Sequence, residues 1–197
     1  MARDYSDTMV AWKRYADGPY WSGESCLTLG MPWFAPEATR RLIEHYPIFL
    51  KKARVVELGC GGSTIFFSHL CESVISVETS VSWAREVRKF PLPNVTIKDW
   101  IDQPSVTQLE VLLGYEGKPL FDVALVDGDP SIYSRSVAAT VLLPMMKPDA
   151  IFITDNYYLP DNLVKEFTVP TDWTHEDFND KHWHGCGTRI STRGKVR

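Results

Sequence analysis

The sequence predicts an α/β fold: an open, doubly wound, mostly parallel sheet with helices on both faces. Three observations predict it. Five short segments, residues 54–58, 74–78, 94–99, 123–127 and 151–155, are β-branched and nearly all apolar, which is how strands buried on both faces read. Between them run segments whose apolar residues recur with the helical period. A glycine cluster, Gly59, Gly61 and Gly62, follows the first apolar run directly. Strands alternating with helices imply right-handed crossovers and a parallel sheet.

In chain order, residues 1–35 form an aromatic-rich extension holding Trp12, Tyr15, Tyr20, Trp21, Trp33 and Phe34. Residues 36–197 read as one domain. Its first helix is "PEATRRLIEHYPIFL", residues 36–50, with Pro36 in the opening turn, where a missing N–H costs nothing. After the first two strands, Trp83, Ala84 and Val87 share a helical face. So do Val106, Leu109, Leu112 and Leu113 after the third. Val137, Ala138, Val141, Leu142 and Met145 make another stripe after the fourth, with Pro148 as its stop. Residues 163–178 and 185–193 read as a closing strand pair, giving seven strands in all.

Composition narrows the function. The 197 residues are 44% hydrophobic and 23% charged, ordinary for a globular domain. No apolar run approaches the ~18 residues that span a bilayer. The start "MARDYSDTMVAWKRY" has no apolar signal core, so a cytoplasmic protein is expected, with Cys26, Cys60, Cys71 and Cys186 as free thiols. A formal charge of −4 argues against nucleic acid and anionic membranes as partners and suits a cationic ligand.

The acids supply the next step. Glu78, Asp99, Asp127 and Asp155 end four of the five core strands, and Glu57 sits one residue inside the exit of the first. Ligands of open parallel sheets bind outside the strand carboxyl ends, where strand order reverses. A ring of carboxylates there suits a cationic centre and a ribose diol and repels a pyrophosphate. The loop "ELGCGGS" lacks the full G-x-G-x-x-G spacing that cradles a dinucleotide. Glu78 lies near the ~20-residue offset at which an acid reaches a ribose.

With these motifs the chain resembles the class I S-adenosylmethionine-dependent methyltransferases. The resemblance rests on "ELGCGGS" (57–63), "SVET" (76–79), "KDW" (98–100), "FDVALVDGD" (121–129) and "LLPMMKPDAIFITDN" (142–156), and covers residues 36–156 best. Its "GGST" loop is most similar to a small, poorly characterised branch. The resemblance implies a Rossmann-like, seven-stranded sheet and S-adenosylmethionine as the methyl donor. It also implies roles: Gly59, Cys60, Gly61, Ser63 and Thr64 against the methionine portion, Glu57 bracing the loop, Glu78 on the ribose hydroxyls, Asp99 on the adenine amino group with Trp100 or Ile101 on the ring, and Asp127 near the ammonium.

The acceptor is less legible. "VDGDP" stands where amino-methylating DNA enzymes carry an Asn/Asp-Pro-Pro-aromatic motif, and no Pro-Cys nucleophile pair is present. Asp127, Asp155 and Asn156 are similar to the Mg2+ ligands of catechol-type O-methyltransferases, although that family's lysine is Pro130 here. Asp129, Tyr133 and His184 are, with Asp127, the candidate catalytic residues. "HWHGC" spaces His182, His184 and Cys186 on alternate positions, with His175 nearby, a transition-metal donor set in no recognised zinc spacing. Tyr20, Trp21, Trp33 and Phe34 would suit a lid over a flat or apolar acceptor. The expected reaction is O- or N-methylation of a small molecule. A protein side chain as acceptor, a non-catalytic S-adenosylmethionine-binding module and a nicotinamide-dependent oxidoreductase are the alternatives these residues leave open.

Overall fold

A computed structural model describes residue 13 and residues 23–101, 105–128, 135–156, 170, 172–179 and 187–196. Five parallel strands form in the order the apolar runs predict: β1 (Arg54–Leu58), β2 (Ser73–Glu78), β3 (Val95–Asp99), β4 (Phe121–Val126) and β5 (Met146–Asp155). β6 (Trp173–Phe178) and β7 (Thr188–Arg193) complete a seven-stranded sheet of order β3-β2-β1-β4-β5-β7-β6, with β7 antiparallel to both neighbours. Strand order reverses between β1 and β4, which pair in parallel. The crevice of a doubly wound sheet therefore opens beyond Leu58 and Val126.

Alternation along each strand divides the core into two layers. On one face Val55, Val74, Val123, Leu125, Ile151 and Ile153 pack with Ala38, Leu42 and Ile43 of α2 (Pro36–His45) and with Phe66 and Phe67 of α4 (Gly62–Leu70). On the other, Val56, Val77, Ala124, Val126 and Phe152 pack with Leu109 and Leu113 of α6 (Val106–Leu113) and with Ala139 and Leu142 of α7 (Arg135–Leu142). The short α5 (Val81–Val87) buries Ala84 and Val87 against Ile65 and Cys60. Among the described residues no helix is long and apolar enough to cross a membrane.

The elements depart from expectation at two prolines. The predicted helix over 36–50 breaks into α2 and α3 (Pro47–Leu50), because Tyr46 precedes Pro47 and is pushed out of helical geometry to φ −124°, ψ 26°. Pro148 is not the stop of the fourth helix. Pro144 opens a 3₁₀ turn, Leu143–Met145, that ends the helix first. Pro148 falls within β5, where the pairing with β4 shifts register between Phe121 and Val123 and the lost donor is tolerated. At the amino end, α1 (Gly23–Leu29) and the turn after it reach the main core: Cys26, Met31, Phe34 and Ala35 are all buried in the layer over β1.

Candidate functional site

At the exit of β1 a chain of hydrogen bonds ties the glycine loop to the sheet. Glu57 stands opposite Ser76 in the β1–β2 register. Its Oε1 accepts from Ser76 Oγ at 2.5 Å and from Thr64 Oγ1, and Thr64 Oγ1 in turn accepts from the Gly61 N–H at 2.8 Å. Glu57 is fully buried, and burial pushes its carboxyl up to about 7 against the opposing hydroxyls of Ser76, Thr64 and Ser63. The hydroxyl of Thr64 is thus occupied inside the protein. Sequence reasoning missed Ser76, whose signal is a polar residue in the middle of an apolar strand beside another such strand.

The glycines differ in what they serve. Gly59 has φ +92°, and a Cβ there would stand 3.1 Å from the backbone of Gly128. Gly62 is the tightest: a Cβ would meet the Met31 carbonyl at 1.9 Å and that of Cys26 at 2.7 Å, so the amino-terminal segment rests on this bare position. The loop donors are already committed, Gly59 N–H to the Val77 carbonyl at 2.8 Å and Cys60 N–H to Glu78 Oε2 at 2.8 Å.

Glu78, at the end of β2, is buried and joins two segments: besides Cys60, its Oε1 accepts from the Ser80 N–H at 2.7 Å. Asp99 stands in register beside it on β3. The Asp99 carboxylate is held by Arg88 at 2.7 Å on the surface, so an adenine amino group there would share it with a guanidinium. Trp100 corrects an expectation. Its indole is only 3% exposed and lies in the core cluster with Leu109 and Leu113, whereas Ile101 is 40% exposed beyond the strand end. Of the two candidates for a ring-stacking surface, Ile101 is the one on offer. Phe34 is likewise a core residue, at 0% exposure, while Trp33 is half exposed.

On the β4 side, Asp127 follows the strand with its N–H on the Leu58 carbonyl at 3.0 Å. Its charge reaches Cys26, whose thiol is pushed up to about 12, mainly by burial. Asp155 is buried at the end of β5, and its Oδ1 accepts from Thr188 Oγ1 at 2.9 Å. Thr188 Oγ1 also accepts from the Ala35 N–H at 2.9 Å, so Asp155 anchors the start of α2 to the sheet. Asn156 turns the chain with φ 54°, a conformation Asn tolerates. Among the described residues no three His, Cys, Asp or Glu side chains gather to hold a metal. Mg2+ gains no support here, because the Asp155 carboxylate serves as a strut inside the protein.

Asp129, Tyr133, His182, His184 and Cys186, with Tyr20 and Trp21, lie outside the described residues. His175 is described: it sits on β6, the outermost strand, with Nδ1 2.9 Å from Ser191 Oγ, remote from the β1–β4 switch.

No family model and no curated protein matches the sequence. Solved structures do match in fold. An O-methyltransferase from Bacillus cereus, solved with S-adenosylhomocysteine, aligns over 96% of this chain and 99% of its own at a TM-score of 0.61 and 16% identity. TomG, the O-methyltransferase of tomaymycin synthesis in Streptomyces achromogenes, solved with S-adenosylmethionine, aligns over 99% and 92% at 0.58 and 15%. PaMTH1, a methyltransferase of Podospora anserina bound to S-adenosylhomocysteine, aligns over 96% and 88% at 0.55 and 14%. The fold of this chain is the Rossmann-like fold of the class I methyltransferases.

Proposed function

We propose that the protein is an S-adenosylmethionine-dependent methyltransferase acting on an oxygen or nitrogen of a small molecule. The observation that carries this reading is Glu78: a carboxylate at the end of β2 whose two oxygens join the glycine loop to the start of α5. A carboxylate with lone pairs to spare, with Asp99 beside it on β3 and Asp127 at the exit of β4, matches a ribose diol and a cationic sulfonium. When bound, S-adenosylmethionine supplies an electrophilic methyl group. Glu78 would hold its ribose, Ile101 would cover its adenine, and the backbone of residues 59–61 would line its amino-acid end, with Asp127 near the ammonium.

The amino-terminal segment, residues 1–35, would cover the acceptor side. Two observations on its described residues support this: the charge of Asp127 reaches the Cys26 thiol, and the Cys26 and Met31 carbonyls abut Gly62. An acceptor hydroxyl or amine would then lose its proton to a group on that side, in a pocket closed to water. The neighbours that are O-methyltransferases support a small-molecule acceptor.

Calorimetry tests the donor. S-adenosylmethionine and S-adenosylhomocysteine should bind and NAD should not; NAD binding without the other two overturns the reading. Glu78→Ala should weaken S-adenosylhomocysteine by roughly 10-fold or more, as expected for lost hydrogen bonds to a charged group. Methyl transfer across an acceptor panel should proceed unchanged in a chelator.

A further inference from the structure

The sequence reads Trp83 only as one member of an apolar helical stripe, yet its side chain does something else. The indole Nε1–H donates to the Cys60 carbonyl, and the ring edge lies 3.5–3.9 Å from where a Cβ on Gly61 would stand. The bond closes a circuit. Cys60 N–H donates to Glu78 Oε2, Glu78 Oε1 accepts from Ser80 N–H, Ser80 Oγ accepts from Trp83 N–H at 3.3 Å, and Trp83 Nε1–H returns to the Cys60 carbonyl. Both polar groups of Cys60 are therefore gripped from one side, by the turn between β2 and α5. The N–H end of the Cys60–Gly61 peptide is held by Thr64 Oγ1 at 2.8 Å, and the indole holds its carbonyl end.

We propose that Trp83 is a positioning residue for the glycine loop, fixing the Cys60–Gly61 peptide against which the amino-acid end of the donor lies. The inference rests on the proposed donor and deepens it: Glu78 would serve the ribose directly, Trp83 the amino-acid end through the backbone. The division of labour has a consequence. Loss of the indole N–H should penalise ligands that carry the aminocarboxypropyl chain and spare those that end at the ribose.

The test uses the full chain with Trp83→Phe, which keeps a ring and removes the donor, and Trp83→His, which restores a ring N–H. Hydrogen exchange of the ligand-free proteins reads the Cys60 and Gly61 amides. These should exchange several-fold faster in Trp83→Phe than in the wild type, and unchanged protection overturns the proposal whatever the ligand is. Calorimetry then compares S-adenosylhomocysteine with 5′-methylthioadenosine, which lacks the amino-acid end. Trp83→Phe should weaken the first roughly 3- to 10-fold, the size of one hydrogen bond, and the second less than about 2-fold. Trp83→His should recover part of the loss. A proportional loss for both ligands would mean a merely structural role. Should Trp83→Phe fold poorly, Trp83→Leu, which also removes the indole N–H, carries the same comparison. A wild type that binds neither ligand defeats the proposed donor, while the exchange experiment still decides whether Trp83 grips the loop.

Discussion

The two sides of the sheet's exit edge are built on different plans. On the β1–β2 side the polar groups close on one another: Glu57 with Ser76 and Thr64, Glu78 with Cys60 and Ser80, Trp83 back to Cys60. On the β4–β5 side the bonds lead away from the crevice, from Asp155 through Thr188 to Ala35 at the head of α2. The first side is a rigid frame made before any ligand arrives, and preorganisation of that kind lowers the entropic cost of binding. The second uses its acid to attach another layer of the protein.

The largest expected effect breaks the joint between the two sides. Gly62→Ala drives a methyl group to within 1.9 Å of the Met31 carbonyl, and that atom is backbone, with no rotamer to yield. Such overpacking typically costs about 1–3 kcal/mol, and a clash with a backbone carbonyl places this site at the upper end or beyond. Chemical denaturation should show the loss with an unchanged m-value, and a midpoint equal to wild type would mean that the amino-terminal segment does not rest there.

Next in size is the buried acid of the frame. The Glu57 pKa is raised from 4.5 to about 7, so the folded state keeps its proton after the unfolded chain has lost it. The contribution is complete below pH 4.5, declines as pH rises toward 7 and is constant above. The slope for one proton is at most about 1.4 kcal/mol per pH unit. Glu57→Gln removes the titration and keeps an acceptor for Ser76 and Thr64. Its stability relative to wild type should therefore climb between pH 4.5 and 7. Parallel pH profiles would show that Glu57 is solvated, and the frame looser than described.

How much of this was legible follows the same division. Four of the apolar runs fell on strands that are mostly buried, where no other pattern is carried; the fifth fell on the edge strand β3, none of whose residues is fully buried. Glu57 and Glu78 were legible as acids at strand exits. Ser76 and Trp83 were not, because their partners are set by register and by a helix one crossover away. Trp100 misled because "KDW" reads the same whether its indole turns to the crevice or to Leu109 and Leu113. The glycines were read as room for a ligand. At Gly59 and Gly62 the room is taken by the backbones of Gly128, Met31 and Cys26, which no local pattern reveals.

On the second side the test is Asp155→Ala. It removes the acceptor of the Thr188 hydroxyl while Thr188 keeps the Ala35 N–H. A buried hydrogen bond to a carboxylate is worth about 1.5–3 kcal/mol, the remaining contact recovering part of it. Faster hydrogen exchange in residues 35–39, with the Cys60 and Gly61 amides unaffected, would sharpen the contrast between the sides. Loosening of both sets together would merge them into one unit.

The smallest effect has the opposite sign and isolates the one glycine of this loop without a packing reason. Gly61 has an extended φ of 167°, and a Cβ there would sit 3.5 Å from the Trp83 indole, an ordinary contact. An alanine fits both the backbone and the space, so Gly61→Ala should leave stability unchanged or raise it by about 0.5 kcal/mol through a stiffer unfolded chain. Three glycines within four positions would then divide into one demanded by backbone conformation, one by packing and one by neither. A loss of more than about 1 kcal/mol at Gly61, against typical values for unstrained sites, would mean that the indole edge is held too firmly to accept even a methyl neighbour. The grip on Cys60 would then extend to the next residue along the loop.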